Sequence, residues 1–499
     1  MGQLTAKRVT EYNHTGWRSI GGKWCYLYHG GAVGAEGITV DMGDALKAYR
    51  LDGSGTRGFD QIPWNTAARQ SLMLQQVMKE EIGIALLGTT YLAPLREFMT
   101  QTDVAPAFAL FLYGQTQSRK STAAALALSH YGNFHAKNLP GSFNDTANKI
   151  RLPAFLLKDM LFVVDDYHPV ASQQEKRQMA ATAQALSRAF GDGADRGRLN
   201  ADGTIKASKP PRCVAIITGE DLPSIGASGL ARFFILDIDK EDIPVTKELT
   251  ALQEAARQGM LQRAMRGYIK WLAKQTDTLP ERLHELYIRF RQDAQGNDGT
   301  LQGRAPETVA CILIGYSMML NYMRDVGALT DEEAQKMLLH ARQVLTESSR
   351  KQSKDMESEK PTRIFLDSLT ELLASKTVVL KDLTSRMDFK PSPGVDMIGY
   401  MDADYYYLLP NVAFGAVSRL CREQGVEFPV SLKALYKHLR TDNVLRTAPE
   451  SDTPTRNRWI DGKAVRLLWI PRKAMDGPKV SQEQTRRVEV NDADNPWKE

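Results

Sequence analysis

Ala107-Phe-Ala-Leu-Phe-Leu-Tyr-Gly-Gln-Thr-Gln-Ser-Arg-Lys-Ser-Thr-Ala-Ala-Ala-Leu-Ala-Leu128 decides how the rest of the chain is read. The apolar run up to Tyr113 predicts a strand, and Thr122 to Leu128 predicts a helix. Between them, Gly114 to Ser121 follows the pattern G-x-x-x-x-G-K-[ST] except at Arg119, where the pattern has glycine. In such a loop, successive backbone N–H groups and the helix N-terminus cradle phosphates. The expected ligand is ATP, held along Gly114, Thr116, Ser118, Arg119, Lys120, Ser121 and Thr122. Lys120 is placed to reach the β and γ oxygens, and Ser121 to hold Mg2+. An ordinary strand-to-helix turn that happens to contain Lys-Ser is the competing reading, so a second motif has to decide.

Met160-Leu-Phe-Val-Val-Asp-Asp166 is that motif. It is a buried-strand pattern ending in two carboxylates, the first of them 165 − 120 = 45 positions after Lys120. Asp165 is expected to share the metal with Ser121, and Asp166 to polarise the attacking water. Two acids capping a helix near Ser172 would account for one carboxylate, but not for the strand, the spacing and the loop together.

Arg212 to Ile217 predicts a further strand ending in Thr218. If that strand lies beside the phosphate loop, Thr218 orients water; a threonine capping a strand end is equally compatible. Ala231 to Asp239 predicts another strand with Arg232 at its start. Arg232, with Arg196 and Arg198 as rivals, is a candidate for stabilising charge on the transferred phosphoryl group of a neighbouring subunit; a solvent-facing arginine is the alternative. Arg198 to Lys209, with a turn signal at Asp202-Gly203, predicts a basic hairpin inserted in the core. Lys206 and Lys209 would then grip DNA phosphates, or simply decorate a solvated surface.

Composition sets the limits. With 499 residues, the chain has room for roughly three domains. Its 42% hydrophobic and 25% charged residues are those of a soluble globular protein. No apolar run approaches the ~18 residues of a membrane span, and the N-terminus lacks a signal-peptide core. A cytoplasmic protein without membrane contact is expected. Cys25, Cys213, Cys311 and Cys421 lie too far apart for a C-x-x-C zinc site and are expected to be reduced packing residues. The net charge of +5 permits nucleic-acid binding without arguing for it.

The expected organisation is α/β. A β module over 1–60 opens with a hairpin at Gly21-Gly22, and helices over 61–100 lead into a largely parallel α/β core over 101–245. A helical subdomain covers 246–347, a polar linker or exposed helix end 348–361, a further domain 362–474 and a disordered tail 475–499.

In their order, phosphate loop, two-acid strand, inserted hairpin, polar strand end and arginine, these residues resemble the AAA+ core of superfamily 3 and MCM-like helicases. More closely, the chain resembles a family of phage, plasmid and genomic-island ATPases carrying a bacterial domain of unknown function, often fused to primases. The matching stretches are Tyr12 to Arg18, Trp24 to Ala32, Gly114 to Ser121, Ser142 to Thr146, Val163 to Asp166, Thr218 to Glu220 and Tyr406 to Pro410. The resemblance implies a P-loop AAA+ core with a helical lid, working as an ATP-driven DNA translocase or helicase. It also implies a homo-oligomeric, hexameric ring around single-stranded DNA that serves replication of a mobile genetic element. Arg119 departs from the family pattern, and no primase segment is present, so priming would come from a separate primase.

The last domain can be read independently. A helix from about Ile364, the aromatic strand Tyr405-Tyr-Tyr-Leu-Leu409, helices near 412–424 and 431–440 and a terminal β ribbon predict a winged helix. The ribbon is basic, and Arg456, Arg458, Lys463 and Arg466 are expected to contact duplex DNA through its phosphates. Use of the same domain for subunit contacts is the alternative. For the whole chain, a switch or loader platform that assembles replication or maintenance proteins without unwinding also remains open, as does a nucleotide-binding scaffold in which Arg119 prevents turnover.

Overall fold

The computed structural model describes residues 10–475 except 54, 169–171, 194–207, 297–300, 302, 359, 386–391, 425–426 and 448–452. The chain divides into two compact units, Met1–Met356 and Glu357–Glu499.

The first unit begins with short strands. β1 (Glu11–Tyr12) pairs with β5 (Thr39–Val40), and β2 (Gly16–Ile20), β3 (Lys23–Tyr28) and β4 (Gly31–Val33) form an antiparallel meander. The β2–β3 turn is Gly21-Gly22 with φ 58° and 78°. Two left-handed residues in succession match the twist of the flanking strands, and glycine reaches that conformation at no steric cost. The module does not stand apart from the rest. The Trp17 backbone N–H donates to Asp159 Oδ2 at 3.0 Å, and its indole N–H donates to Pro94 O at 2.6 Å. Trp17, Tyr26 and Tyr49 are buried in one hydrophobic core that reaches as far as Leu345. The segments expected over 1–60, 61–100, 101–245 and 246–347 therefore share a single core.

Helices α1 (Trp64–Leu72), α2 (Glu80–Leu92) and α3 (Arg96–Thr100) precede the central sheet. That sheet contains β6 (Ala109–Tyr113), β7 (Gly141–Ser142), β8 (Leu161–Tyr167), β9 (Val214–Gly219) and β10 (Phe233–Asp237), in the order β10-β6-β9-β8-β7 and parallel throughout. Strands of a parallel sheet are buried on both faces, which is why β6, β8 and β9 read as continuous apolar runs. The order sets β9 between β6 and β8, so the C-terminal ends of these three strands lie side by side. α4 (Lys120–Leu128), α5 (Ala147–Leu156), α6 (Gln173–Asp192) and α7 (Gly226–Leu230) connect the strands.

α8 (Lys247–Arg257), α9 (Met260–Leu272), α10 (Leu279–Gln295), α11 (Ala305–Asp325) and α12 (Asp331–Ser358) follow. α2 and α11 cross in close contact at two glycines: a Cβ on Gly315 would lie 2.0 Å from Gly88 O. Residues 348–358, expected as a linker or an exposed helix end, continue α12. The reason lies at the sheet edge, where the Gln352 side chain donates to Phe233 O at 2.8 Å and accepts the Ile235 N–H at 3.0 Å. A polar helix face thereby satisfies backbone groups that edge strand β10 would otherwise leave unpaired.

The second unit contains α13 (Pro361–Ala374), α14 (Pro410–Glu423) and α15 (Leu432–Thr441), with β11 (Val378–Asp382), β12 (Asp396–Met401), β13 (Tyr405–Leu408), β14 (Arg456–Ile460) and β15 (Lys463–Pro471). Its sheet has the order β11-β12-β13-β15-β14; β11 and β12 are parallel and the other pairs antiparallel. Phe365, Val417 and Leu435 of the helices bury one face together with Ile398, Leu408, Leu468 and Ile470. The opposite face carries Tyr407, Ile460 and Leu467, flanked by Tyr400, Tyr405 and Trp469.

Candidate active site

The site is built where β6, β9 and β8 end, the edge at which ligands bind in open parallel sheets. Gly114 ends β6 with φ 152°, and a Cβ there would lie 2.1 Å from Ile238 O, so no larger residue fits. Its N–H donates to Gly219 O at 3.1 Å, tying the loop to the end of β9. Gln117 and Arg119 adopt left-handed φ values of 71° and 65°, turning the chain back into α4. Ser118 is fully buried beneath the loop, and Thr122 is half-buried in the first turn of α4.

Lys120, 8% exposed, folds onto the loop itself. Its Nζ donates to Gly114 O at 2.5 Å, Gln115 O at 2.9 Å and Ser118 Oγ at 3.2 Å. Burial lowers its ammonium group from the ordinary value, opposed by the charges of Glu220, Asp165 and Asp166. Ser121 Oγ donates to Asp165 Oδ1 at 2.8 Å. The Thr218 hydroxyl donates to the same carboxylate oxygen and accepts the Asp166 N–H at 3.1 Å. Loop hydroxyl, metal-type carboxylate and β9 threonine therefore meet at one atom.

Asp166 takes a different course from Asp165. The β8–β9 register shifts between Val164 and Tyr167, and Asp166 adopts φ 73°. This bulge turns the second carboxylate outward, leaving its side chain 49% exposed with Oδ2 at 3.2 Å from His168 Nδ1. One acid thus faces the hydroxyls and the other faces solvent.

Two features went unread in the sequence. Glu220 Oε1 accepts the Thr116 hydroxyl at 2.5 Å, and the Glu220 N–H donates to Tyr167 O at 2.6 Å. An acid two positions past the polar end of a strand was the available signal. The second is the direction of Arg119. Its Nη1 donates to Lys240 O at 2.9 Å and Ile243 O at 2.7 Å, so its side chain points away from the phosphate loop toward the segment between β10 and α8. The left-handed backbone, which glycine usually supplies, aims the guanidinium at those carbonyls, while Arg119 keeps its place in the loop backbone.

Arg232 lies at the N-terminal end of β10, across the sheet from the loop. Its Nε and Nη2 donate to Asp192 Oδ1 and Oδ2, each at 3.0 Å, and Arg304 Nη2 reaches Asp192 Oδ1 at 2.7 Å. These arginines hold the Asp192 carboxyl below its ordinary value, the hydrogen bonds from Arg232 being the largest cause. Within one chain Arg232 is not brought to the phosphate loop. Lys209 enters β9 at the same edge as Arg232, with Nζ 5.7 Å from the Phe155 ring centroid. Arg196, Arg198, Lys206 and the tail from 476 onward lie outside the described residues.

In the second unit, Arg458 pairs with Asp402 at 3.0 Å and lies 3.9 Å from the Tyr407 ring centroid, while Arg456 lies 4.5 Å from that of Trp469. Arg466 Nε donates to Thr455 Oγ1 at 2.6 Å, and Lys463 begins β15 in an exposed position. Arg456 and Arg458 share the helix-free face of the sheet; Arg466 points to the other.

Among the described residues, no group of three or more His, Cys, Asp or Glu could hold a metal. A hydroxyl beside one carboxylate nevertheless fits Mg2+, which takes one or two carboxylates and completes its shell with phosphate oxygens and water. Likewise, no helix among the described residues is long and apolar enough to cross a membrane.

Comparison with known proteins bears on the fold. A family model described as "Domain of unknown function (DUF927)" matches residues 73–210, a span that holds the phosphate loop and both aspartates. No curated protein matches the chain in sequence. The structure titled "SCCmec type IV Cch - active helicase" is similar at 14% identity with a TM-score of 0.60, over 92% of this chain and 79% of that one. That likeness is one of fold: mixed α/β with a parallel sheet, helicase-like. The C-terminal region of NrS-1 (10% identity, TM-score 0.28, 79% of this chain and 76% of that one) and JCV helicase (12%, 0.22, 52% and 76%) superpose too weakly to indicate a shared fold.

Proposed function

We infer that the chain is an ATP hydrolase that moves along or unwinds DNA, acting as a hexameric ring in replication of a mobile genetic element, with a separate primase as partner. The observation that carries this reading is the convergence of Ser121 and Thr218 on Asp165 Oδ1 beside the buried Lys120, at the C-terminal edge of a helicase-like parallel sheet.

In this reading the loop N–H groups and Lys120 bind the phosphates of ATP, and Ser121 with Asp165 would hold Mg2+, whose charge offsets that developing on the phosphoryl oxygens. Lys120 exchanges the loop carbonyls it now contacts for phosphate oxygens. Thr218 keeps Asp165 oriented and, through the Asp166 N–H, fixes the bulge that presents the second carboxylate. Asp166 accepts the proton of the attacking water. Arg232, across the sheet, would act on the site of a neighbouring subunit. The helices of 246–347 form the lid, and the second unit is a winged helix whose α15 faces duplex DNA.

Hydrolysis measured with and without single-stranded DNA, beside Lys120→Ala, tests the reading. The expected outcome is DNA-stimulated hydrolysis abolished by the substitution. Hydrolysis indifferent to DNA would replace the motor with an assembly switch, and no hydrolysis would sink both.

A further inference from the structure

Among its described residues, the second unit leaves one large aromatic ring in water, on a basic ribbon. Trp459, on β14, is 76% exposed. Tryptophan is normally well buried, and an indole left this open marks a contact surface when its surroundings match a partner. The surroundings here are polar. Trp459 faces Ala464 across the ribbon and Asn457 faces Arg466, so Trp459, Asn457, Ala464 and Arg466 share one side, while Lys463 opens β15 beside the turn. The carboxylate at that turn, Asp461, is paired with Lys381 at 2.8 Å. Arg466 is held in place by Thr455, and its charge is felt at Tyr436 of α15, whose hydroxyl burial raises and Arg466 opposes.

A docking site for another folded protein would surround the indole with further apolar groups. An exposed indole with the Arg466 guanidinium on its own face matches instead a strand with stackable bases and charged phosphates. The ring is also set apart from Trp469, whose face on the other side of the sheet is already occupied by Arg456.

We propose that the β14–β15 ribbon is a single-stranded nucleic-acid site in which the Trp459 indole stacks on a base while Arg466, on the same face, takes a flanking phosphate. The choice of polymer rests on the proposed DNA-acting function. The test omits nucleotide, so the two can fail separately.

The probe is oligo-dT, titrated against the full chain by fluorescence anisotropy. Trp459→Ala should weaken binding by about 5- to 150-fold, the range of one lost base stack, without changing its salt dependence. Arg466→Gln should instead lower the slope of log affinity against log salt by about 0.7. Trp459→Phe should bind nearly as the parent does while losing the quenching of tryptophan emission by oligo-dT. This conservative variant keeps the test valid even if the alanine variant misfolds. Wild-type affinity in Trp459→Ala overturns the proposal, as does Trp459→Leu binding as tightly as Trp459→Phe. If Trp459→Ala alters self-association in sedimentation but not oligo-dT affinity, the ring is a protein contact and the proposal fails. Absence of ATP hydrolysis alongside intact, Trp459-dependent binding would remove the motor reading alone.

Discussion

Ser121 Oγ and Asp165 Oδ1 lie 2.8 Å apart, joining the first turn of α4, which follows β6, to β8, a strand that is not a neighbour of β6 in the sheet. β9 intervenes, and its Thr218 completes the contact. If this trio holds the metal, Asp165→Asn should leave nucleotide binding in EDTA intact while lowering Mg2+-dependent hydrolysis on the order of 100-fold or more. Equilibrium binding of a fluorescent ATP analogue beside a steady-state assay separates the two; equal losses in both would assign Asp165 a purely structural role.

Arg119 holds a left-handed backbone that costs a non-glycine residue about 1 kcal/mol or more, and its guanidinium makes two bonds to Lys240 O and Ile243 O. Arg119→Ala keeps the strain and loses both bonds, so it should destabilise by about 1–3 kcal/mol. Arg119→Gly loses the same bonds but relieves the strain, so it should lie closer to the parent. Thermal melts of both variants check the order; alanine at least as stable as glycine would refute it.

His130 is fully buried at the C-terminal end of α4, with Nε2 2.8 Å from Ser71 Oγ and Nδ1 2.9 Å from Ala127 O. Burial pushes its imidazole down to about 4, against the backbone bonds that would raise it. In the unfolded chain, the same group takes up its proton near pH 6.5. The unfolded state therefore binds more protons between those values, and stability falls as pH drops from about 6.5 to about 4, by up to about 3 kcal/mol. His130→Gln should flatten that part of a plot of melting temperature against pH; an unchanged slope would show that other groups carry it.

Gly88 and Gly315 let α2 and α11 touch. Gly315→Ala places a methyl group 2.0 Å from Gly88 O, a backbone atom that cannot rotate aside. The helices must separate, and a loss of about 2–3 kcal/mol is expected from overpacking. A melting temperature within error of the parent would show that the crossing has slack.

Much of this was readable along the chain. The apolar runs of β6, β8 and β9 and the loop between β6 and α4 stand out because parallel strands are apolar without alternation, and because a phosphate loop concentrates its groups within eight successive residues, Gly114 to Ser121. The Gly21-Gly22 turn was equally plain. The course of residues 348–358 stayed open between a linker and a helix end, because Gln352 is held by strand β10, more than a hundred residues earlier. The same distance hid the union of the N-terminal module with the core through Asp159.

By itself, the sequence determined which residues are the candidates for phosphate and metal chemistry, since local spacing sets the loop, the strand ends and their charges. Only the tertiary structure decided how they meet. Strand order put Thr218 between Ser121 and Asp165, a bulge sent Asp166 outward, and a left-handed turn carried Arg119 to Lys240 and Ile243. Register, strand order and backbone handedness depend on contacts between residues far apart in the chain, which no local pattern encodes.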